Sequence, residues 1–409
     1  MEAIKLHKWF YIGLINLAFV ALYGVLMRYK IAFSFPFLEQ KFLLHAHSHF
    51  AFSGWVSHFI YTGLAILIAP FLSVSKQKVY DKVILFNIIC AYGMLFSFTI
   101  QGYKLFSIIF STLTILISIF YAWIFIKDSA QMPTQHPAKR WAIGGLLLNI
   151  VSAAGPLYLA YMMMTKNIQS EWYLGSVYYF LHFQYSGWFF FGCMAMVIKT
   201  LPNDDPTVKK YFWILVITAV LTVFLSILWA KLPIWLYTIT VVATMIQLIA
   251  WIALVKKFLP AIKKTISNTQ PGWIQLFLYG AIFSMTIKFI LQSVSVVPSL
   301  SELVFGIRPI VIAYLHLVLL GAFSLFIIGY SFSKKIFQPT IFAKVAAIGF
   351  FVGVVLNELF LGIQGMAAFT YTPVPYINQL LFIAALVLLG SAISLAISQR
   401  KNIGKNYQD

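Results

Sequence analysis

Four of the eight histidines stand within one short apolar stretch, at His45, His47, His49 and His58. A neutral imidazole is a common ligand of iron, copper and zinc. Ionisable side chains inside a hydrophobic span are costly, so they usually have a functional role there. On an α-helix His45 and His49 lie one turn apart and share a face, whereas His47 and His58 point elsewhere.

The histidine stretch recurs twice in weaker form farther along the chain. A His-x-x-x-x-Gly pattern begins at His49, His182 and His316, and a tryptophan follows the glycine in the first two. The spacings are nearly equal, and each is close to one third of the 409 residues. Repetition at a fixed period is typical of structural repeats. We therefore expect pseudo-repeats over approximately 1–135, 136–270 and 271–409.

The composition places these histidines in a membrane. Hydrophobic residues make up 61% of the chain and charged residues only 10%, against about 25% charged in soluble domains. A spanning helix needs ~20 mostly apolar residues. The sequence predicts a single all-α membrane domain over 1–409, with twelve transmembrane helices in three pseudo-threefold four-helix units. The predicted spans are 9–27, 43–70, 83–101, 105–126, 141–164, 172–198, 211–230, 234–255, 273–297, 309–331, 345–369 and 376–397.

The net charge of +19 is a signal of topology. Most Lys and Arg residues fall at the N-terminus and in the loops that follow even-numbered spans. By the positive-inside rule both termini are cytoplasmic, and the protein is a multi-pass protein of a bacterial-type inner membrane. The lipid bilayer is the expected partner, and nothing in this charge distribution indicates nucleic acid.

Histidines at this depth can pair with a buried acid, line a proton path, or ligate a metal or haem iron. Only Glu358 is clearly an acid in the middle of a span, and a proton relay would need more carboxylates. Lys288 and Glu358 are candidates for a proton path or for a mutual ion pair. Ligation of haem by two histidines needs only two imidazoles on facing helices and an apolar slot.

The pattern as a whole resembles subunit I of the haem-copper oxidases. Twelve spans, three four-span units and histidines in spans two, six and ten are most similar to the cbb-type oxidase and nitric oxide reductase branch. The chain also resembles the NnrS-like haem-copper membrane proteins, whose second span begins with a His-Ala-His pattern such as His45-Ala46-His47. The resemblance covers essentially the whole chain in topology and three short stretches in motif.

The resemblance implies a low-spin haem b with two axial histidines. Span ten supplies one ligand, which falls on His316. Span two supplies the other: alignment on the glycine favours His49, and alignment on the start of the helix favours His45. Arg308, at the outer start of span ten, is placed to meet a haem propionate, because its planar guanidinium binds carboxylates.

The resemblance also implies a second metal, although the oxidase centre is incomplete. Span six supplies a copper ligand, which falls on His182, and His47 could share that metal. The span-seven region 229–235 lacks the His-His pair of the oxidases, and Tyr314 stands where the high-spin haem ligand is expected. A complete terminal oxidase is therefore not expected, while a copper site and another oxidoreductase activity stay open.

Two functions of different kinds follow from these residues. The first is a haem protein of the respiratory chain type, acting in electron transfer or in nitric oxide or oxygen chemistry, with a quinol or a cytochrome subunit as electron donor. The alternative is a non-catalytic protein for metal or haem handling or assembly on the same scaffold. A secondary transporter also allows twelve spans, but transporter repeats are usually twofold.

Overall fold

The chain is helical throughout the residues that the structure, a computed structural model, describes: 3–199, 205–230, 232–269, 271–300 and 307–400. Within these ranges there are helices and turns and no strand. Eleven helices are long and apolar enough to cross a membrane. The all-α prediction is confirmed, and the eleven helices agree with a multi-pass membrane protein.

We number the helices from the N-terminus so that each matches one predicted span. They are α1 (Ala3–Ala32), α2 (Gln40–Phe71), α3 (Val74–Gln101), α4 (Leu105–Gln131), α5 (Pro137–Met164), α6 (170–198), α7 (Pro206–Ala230), α8 (Ile234–Thr269), α9 (Gly272–Val294), α10 (Arg308–Ser333), α11 (Ile341–Phe369) and α12 (Ile377–Gln399).

Helix α6 differs from the others because it is not among the eleven apolar helices. It coincides with predicted span six and is helical without a break over 170–198. Its middle carries His182, Gln184 and Ser186, and every residue from 182 to 196 is buried by the protein. A helix that is shielded from lipid can hold more polar groups. The prediction of twelve spans therefore stays a prediction at this helix.

The chain divides into two compact units, each built from separate stretches of sequence. Unit 1 contains the described residues of Met1–Ile117, Thr269–Ala281 and Leu315–Asp409, and so includes α1 to α3, α11, α12 and most of α10. Unit 2 contains the described residues of Ser118–Asn268 and Ile282–Tyr314, including α5 to α7 and most of α8. In unit 1, α12 packs along both α1 and α11.

Three segments of the described chain are π-helical, and each begins one or two residues after one of the repeated histidines. They are Ala51–Ser57 in α2, Phe183–Phe189 in α6 and Leu317–Ser324 in α10. Each segment contains the glycine of the His-x-x-x-x-Gly pattern. π-Helical turns are rare and are found frequently at functional sites. The repeated sequence thus has a repeated local structure.

Side chains of neighbouring helices bind the backbone carbonyls of the π-segment in α2. Asn16 Nδ2 of α1 donates to Gly54 O at 2.6 Å, and Asn87 Nδ2 of α3 donates to Ser53 O at 3.1 Å. Inside an apolar bundle, backbone groups freed from the regular helical pattern must find such partners. These two asparagines therefore hold the irregular turn of α2 between α1 and α3.

A tight turn joins α3 to α4 and fixes the position of Tyr103. Gly102 has a φ of 63°, which is the left-handed region that glycine adopts without a steric penalty. Ser107 Oγ closes the turn, because it donates to Gly102 O at 2.6 Å and accepts from Lys104 N at 3.0 Å. Tyr103 is thereby held beside the N-terminal part of α2.

Candidate haem and metal site

The N-terminal part of α2 presents two imidazoles to one aromatic pair. The His49 ring stacks on Phe98 with centroids 4.5 Å apart, and the His45 ring meets Tyr103 edge-on at 4.6 Å. Phe98 is fully buried and contacts Tyr103 at 4.8 Å. The predicted shared face of His45 and His49 is confirmed, because both side chains contact the same two residues.

The two imidazoles differ in what their Nε2 atoms contact. His49 Nε2 shares a hydrogen bond with Tyr103 Oη at 2.9 Å. His45 Nε2 is buried and has no hydrogen-bond partner among the residues that the structure describes. A metal ligand needs a ring nitrogen with a free lone pair. His45 offers such a nitrogen directly, whereas His49 must release the phenol first.

His47 and His58 lie on other faces of α2, as predicted, and both contact α1. His47 Nδ1 lies 3.0 Å from Val20 O, and His58 Nε2 lies 2.8 Å from Trp9 O. A ring nitrogen that donates to a backbone carbonyl leaves the other nitrogen as the acceptor. Each of these histidines therefore has one nitrogen committed to packing α2 against α1.

Side chains of α2 and α10 contact one another within unit 1. Trp55 Nε1 donates to Ser324 Oγ at 2.9 Å, and the Phe59 and Tyr330 rings lie 6.1 Å apart. Residue numbers rise together in both contacts, so the two helices run parallel at this point. His49 and His316 both precede these contacts, and so both lie on the N-terminal side of them.

The remaining predicted haem contact is Arg308, which is the first residue of α10 and is exposed. It stands two helical turns before His316 on the same helix. Arg308 therefore lies at the N-terminal end of α10, and its contact with a propionate stays a prediction. His316 is partly exposed.

The two residues predicted to hold a second metal lie in different units. His47 belongs to unit 1, whereas His182 belongs to unit 2 and is 1% exposed. His182 Nε2 lies 2.8 Å from Ala219 O of α7. Within the described ranges, no group of three or more His, Cys, Asp or Glu residues is placed to hold a metal ion.

Unit 2 contains a buried ammonium group close to the second histidine pattern. Lys288 is 1% exposed, and its Nζ donates to Ser186 Oγ at 2.9 Å. The same Nζ lies 4.2 Å from the ring centroid of Phe289 and 5.6 Å from that of Tyr185. Aromatic ring faces attract a desolvated cation. The polar partner of Lys288 thus comes from the π-segment of α6, within its own unit.

Tyr314, which stands where the resemblance places a high-spin haem ligand, belongs to the same neighbourhood. The Tyr314 and Tyr185 rings meet edge-on with centroids 5.9 Å apart, and Tyr185 in turn lies 6.1 Å from His182. Lys288, Tyr185, Tyr314 and His182 therefore form one polar cluster in the interior of unit 2. Its cation distinguishes this cluster from the histidines of α2.

Sequence reasoning did not identify three side chains that shape the site, namely Tyr103, Trp55 and Ser324. The sequence did contain information on the location of Tyr103, because the Gln-Gly-Tyr-Lys turn stands at the end of predicted span three, on the side where span two begins. No sequence pattern predicts the pairing of Trp55 with Ser324, since the two residues are far apart in the sequence. Only the packing of α2 on α10 brings them together.

No protein-family model matches the chain, and no curated protein matches it. The candidate site therefore rests on the arrangement of its own residues. Two imidazoles on one face of α2 lie against Phe98 and Tyr103, and His316 is on the parallel helix α10.

Proposed function

We propose that the protein is a membrane haem-binding protein of the haem-copper oxidase superfamily, acting in electron transfer or in the chemistry of nitric oxide or oxygen. The observation that carries this proposal is the parallel packing of α2 and α10, joined by Trp55 and Ser324. Two histidine-bearing helices that run side by side are what ligation of one iron by two imidazoles requires.

Three features of the described residues support a haem. His45 has a buried Nε2 without a partner, and His49 has an Nε2 held by one exchangeable phenol. His316 stands on α10, on the same side of the Trp55–Ser324 contact. His316 with either His49 or His45 would hold a haem b through its iron, and Arg308 would bind a propionate.

A bound haem would supply a one-electron carrier or a binding site for a diatomic gas. The chain's own residues do the positioning. Phe98, which is stacked on His49, excludes water from that imidazole and fixes its ring plane. Tyr103 Oη occupies Nε2 of the same ring, so iron at that nitrogen would displace the phenol.

The topology belongs to the same proposal. We place the N-terminal ends of α2, α6 and α10 on the outer side of a bacterial-type inner membrane, with cytoplasmic termini, three four-helix repeats and α6 as the twelfth span. The electron donor is a quinol or a cytochrome subunit. A copper ion at His182 is less favoured by its surroundings, because Nε2 of this buried imidazole is already hydrogen-bonded to Ala219 O.

Non-catalytic metal handling is the second candidate, and one observation favours it. His45, His49 and Tyr103 bring two imidazoles and a phenol together at one end of α2. Imidazole suits copper and zinc as well as iron. On this alternative the three residues capture a metal ion, and His316 takes no part.

A reduced-minus-oxidised optical spectrum of the purified protein, with metal analysis of the same sample, tests the proposal. We expect a low-spin b-type signal that His316→Ala abolishes and His136→Ala, a substitution outside the predicted spans, leaves unchanged. His49→Ala and His45→Ala then identify the second ligand. Stoichiometric copper or zinc without haem, retained in His316→Ala, would replace the haem proposal by the metal-handling one.

A further inference from the structure

A groove runs along the surface of α11 in unit 1. It has a volume of about 640 Å³ and extends from Glu358 past Gly362 and Met366 to the Thr370–Thr372 turn. Leu359 and Met366 on its walls are 53% and 66% exposed. Because α11 is one of the eleven helices that are long and apolar enough to cross a membrane, we expect those exposed apolar walls to face lipid.

The inner end of the groove contains a carboxyl group in the middle of the helix. Glu358 precedes Phe369, the last residue of α11, by eleven residues, which is about 16 Å at ~1.5 Å per residue. Half the hydrocarbon thickness of a bilayer is about 15 Å. The carboxyl group accepts one hydrogen bond, from Asn357 Nδ2 at 3.2 Å. A carboxyl at that depth is costly and is a functional-site candidate by default.

We propose that this groove binds the ring of a lipid-soluble hydroquinone, with Glu358 as the hydrogen-bond acceptor for a ring hydroxyl. The inference rests on the proposed haem function, since it assigns the electron donor of that haem. It makes Glu358 the residue that contacts the donor.

Three features of the groove select this class of ligand. Its apolar walls are accessible from lipid, where hydroquinones with isoprenoid tails dissolve. Its volume lies within the range of about 300–1,000 Å³ that is typical of small-molecule sites. Its two ends are polar, with Glu358 at one and Thr370 and Thr372 at the other. A plain lipid chain would need neither end.

The helix that lines the groove also contacts the helix that carries a proposed axial ligand. Helix α11 packs against the π-segment Leu317–Ser324 of α10. That segment begins directly after His316. A haem held by His316 would therefore be bound to a helix that is in contact with the groove helix.

The reaction at this site is a two-electron oxidation of the ring. The hydroquinone would lose its electrons one at a time to the haem that His316 and a histidine of α2 would hold, and nitric oxide or oxygen, the proposed gas substrate, would reoxidise that haem between the two steps. Both ring O–H bonds break, and the Glu358 carboxylate takes each proton in turn and releases it to water. The quinone returns to the lipid with both carbonyl groups formed.

Labelling with the hydrophobic reagent dicyclohexylcarbodiimide tests binding without any haem. This reagent attaches to carboxyl groups that lie within lipid. We expect Glu358 to be labelled in the full-length protein in detergent, and a short-chain ubiquinol to slow the labelling at least fivefold. Decanol at equal concentration should give no protection. Glu358→Gln should lose the label, whereas Glu171→Gln, which removes an exposed carboxylate of unit 2, should keep it.

A matched pair of glycine substitutions tests the groove itself. A Cβ atom at Gly362 or at Gly390 would meet no atom within 4 Å, so a side chain can begin at both positions without a clash at Cβ. Only Gly362 lines the groove. We expect Gly362→Leu to reduce quinol protection and quinol-driven haem reduction at least fivefold, with reduction by dithionite unchanged. Gly390→Leu should behave as the wild type.

The outcomes separate the two proposals. Absence of haem with intact ubiquinol protection of Glu358 would reject the haem function and retain the quinol site. A haem that dithionite reduces, with no ubiquinol protection of Glu358, would overturn the quinol site alone. In that second case a lipid chain or a second copy of the protein covers the groove.

Discussion

Trp55 and Ser324 join the two helices that carry the proposed haem ligands. The indole Nε1 donates to Ser324 Oγ at 2.9 Å, while the same hydroxyl donates to Leu319 O at 2.8 Å within the π-segment of α10. Trp55 itself lies in the π-segment of α2. One hydrogen bond thus connects two irregular turns that follow equivalent histidines.

This contact predicts a coupling energy between the two residues. We expect a double-mutant cycle of Trp55→Phe and Ser324→Ala, measured by unfolding in detergent, to give about 0.5–1.5 kcal/mol. Trp55→Phe also removes ring volume, and the cycle subtracts that contribution. Additive effects of the two substitutions would show that the hydrogen bond does not hold α2 to α10.

Replacing Tyr103 tests which histidine binds the iron, because the expected change in haem affinity depends on that histidine. Its phenol occupies Nε2 of His49, so Tyr103→Phe removes a competitor of iron at that nitrogen. We expect haem titration of the variant to show tighter binding by about 1 kcal/mol, which is ~fivefold in the dissociation constant. Unchanged affinity would assign the iron to His45. Weaker binding of copper or zinc in this variant would instead support the metal-handling alternative.

The close packing of the π-segment of α6 predicts that a larger side chain at Gly187 lowers the free energy of unfolding. A Cβ atom at Gly187 would lie 2.8 Å from Leu148 Cβ, which is too close to be accommodated without a shift. We expect Gly187→Ala to lower the free energy of unfolding by about 1–3 kcal/mol. Gly362→Ala, where no atom lies within 4 Å of the new carbon, should be neutral or stabilising by up to ~1 kcal/mol. Equal losses in both variants would mean that close packing at Gly187 is not the cause.

Much of the fold followed from hydrophobic composition and length. Apolar runs of sufficient length predicted every helix from α1 to α12, because a bilayer requires continuous helices of about 20 residues. Helix α6 is the exception in its composition, because burial by protein replaces lipid contact and polar residues are tolerated. Residue composition alone cannot distinguish these two surroundings.

The candidate site was predictable only along single helices. The shared face of His45 and His49 follows from α-helical spacing, and the structure confirms it. The π-segments were not expected, because an i→i+5 turn depends on partners such as Asn16 and Asn87 that come from other helices. The pairing of Lys288 with Ser186 likewise arises from packing between distant segments.

The buried ammonium of Lys288 predicts that removing it together with its hydrogen-bond partner destabilises the protein less than removing the partner alone. Ser186 Oγ is its hydrogen-bond partner at 2.9 Å, and its other close neighbours are the rings of Phe289 and Tyr185. Ser186→Ala therefore leaves a buried charge with ring contacts only, and we expect it to lower the free energy of unfolding by about 1.5–3 kcal/mol.

Adding Lys288→Met to Ser186→Ala should recover most of that loss, because replacing a buried charge together with its partner by apolar groups is often neutral. Unfolding in detergent of the wild type, both single variants and the double variant measures this recovery. Ser186→Cys serves as the control of similar size that keeps a weak donor and acceptor. A double variant less stable than Ser186→Ala alone would show that the Lys288 ammonium stabilises unit 2 through its ring contacts, independently of the hydroxyl.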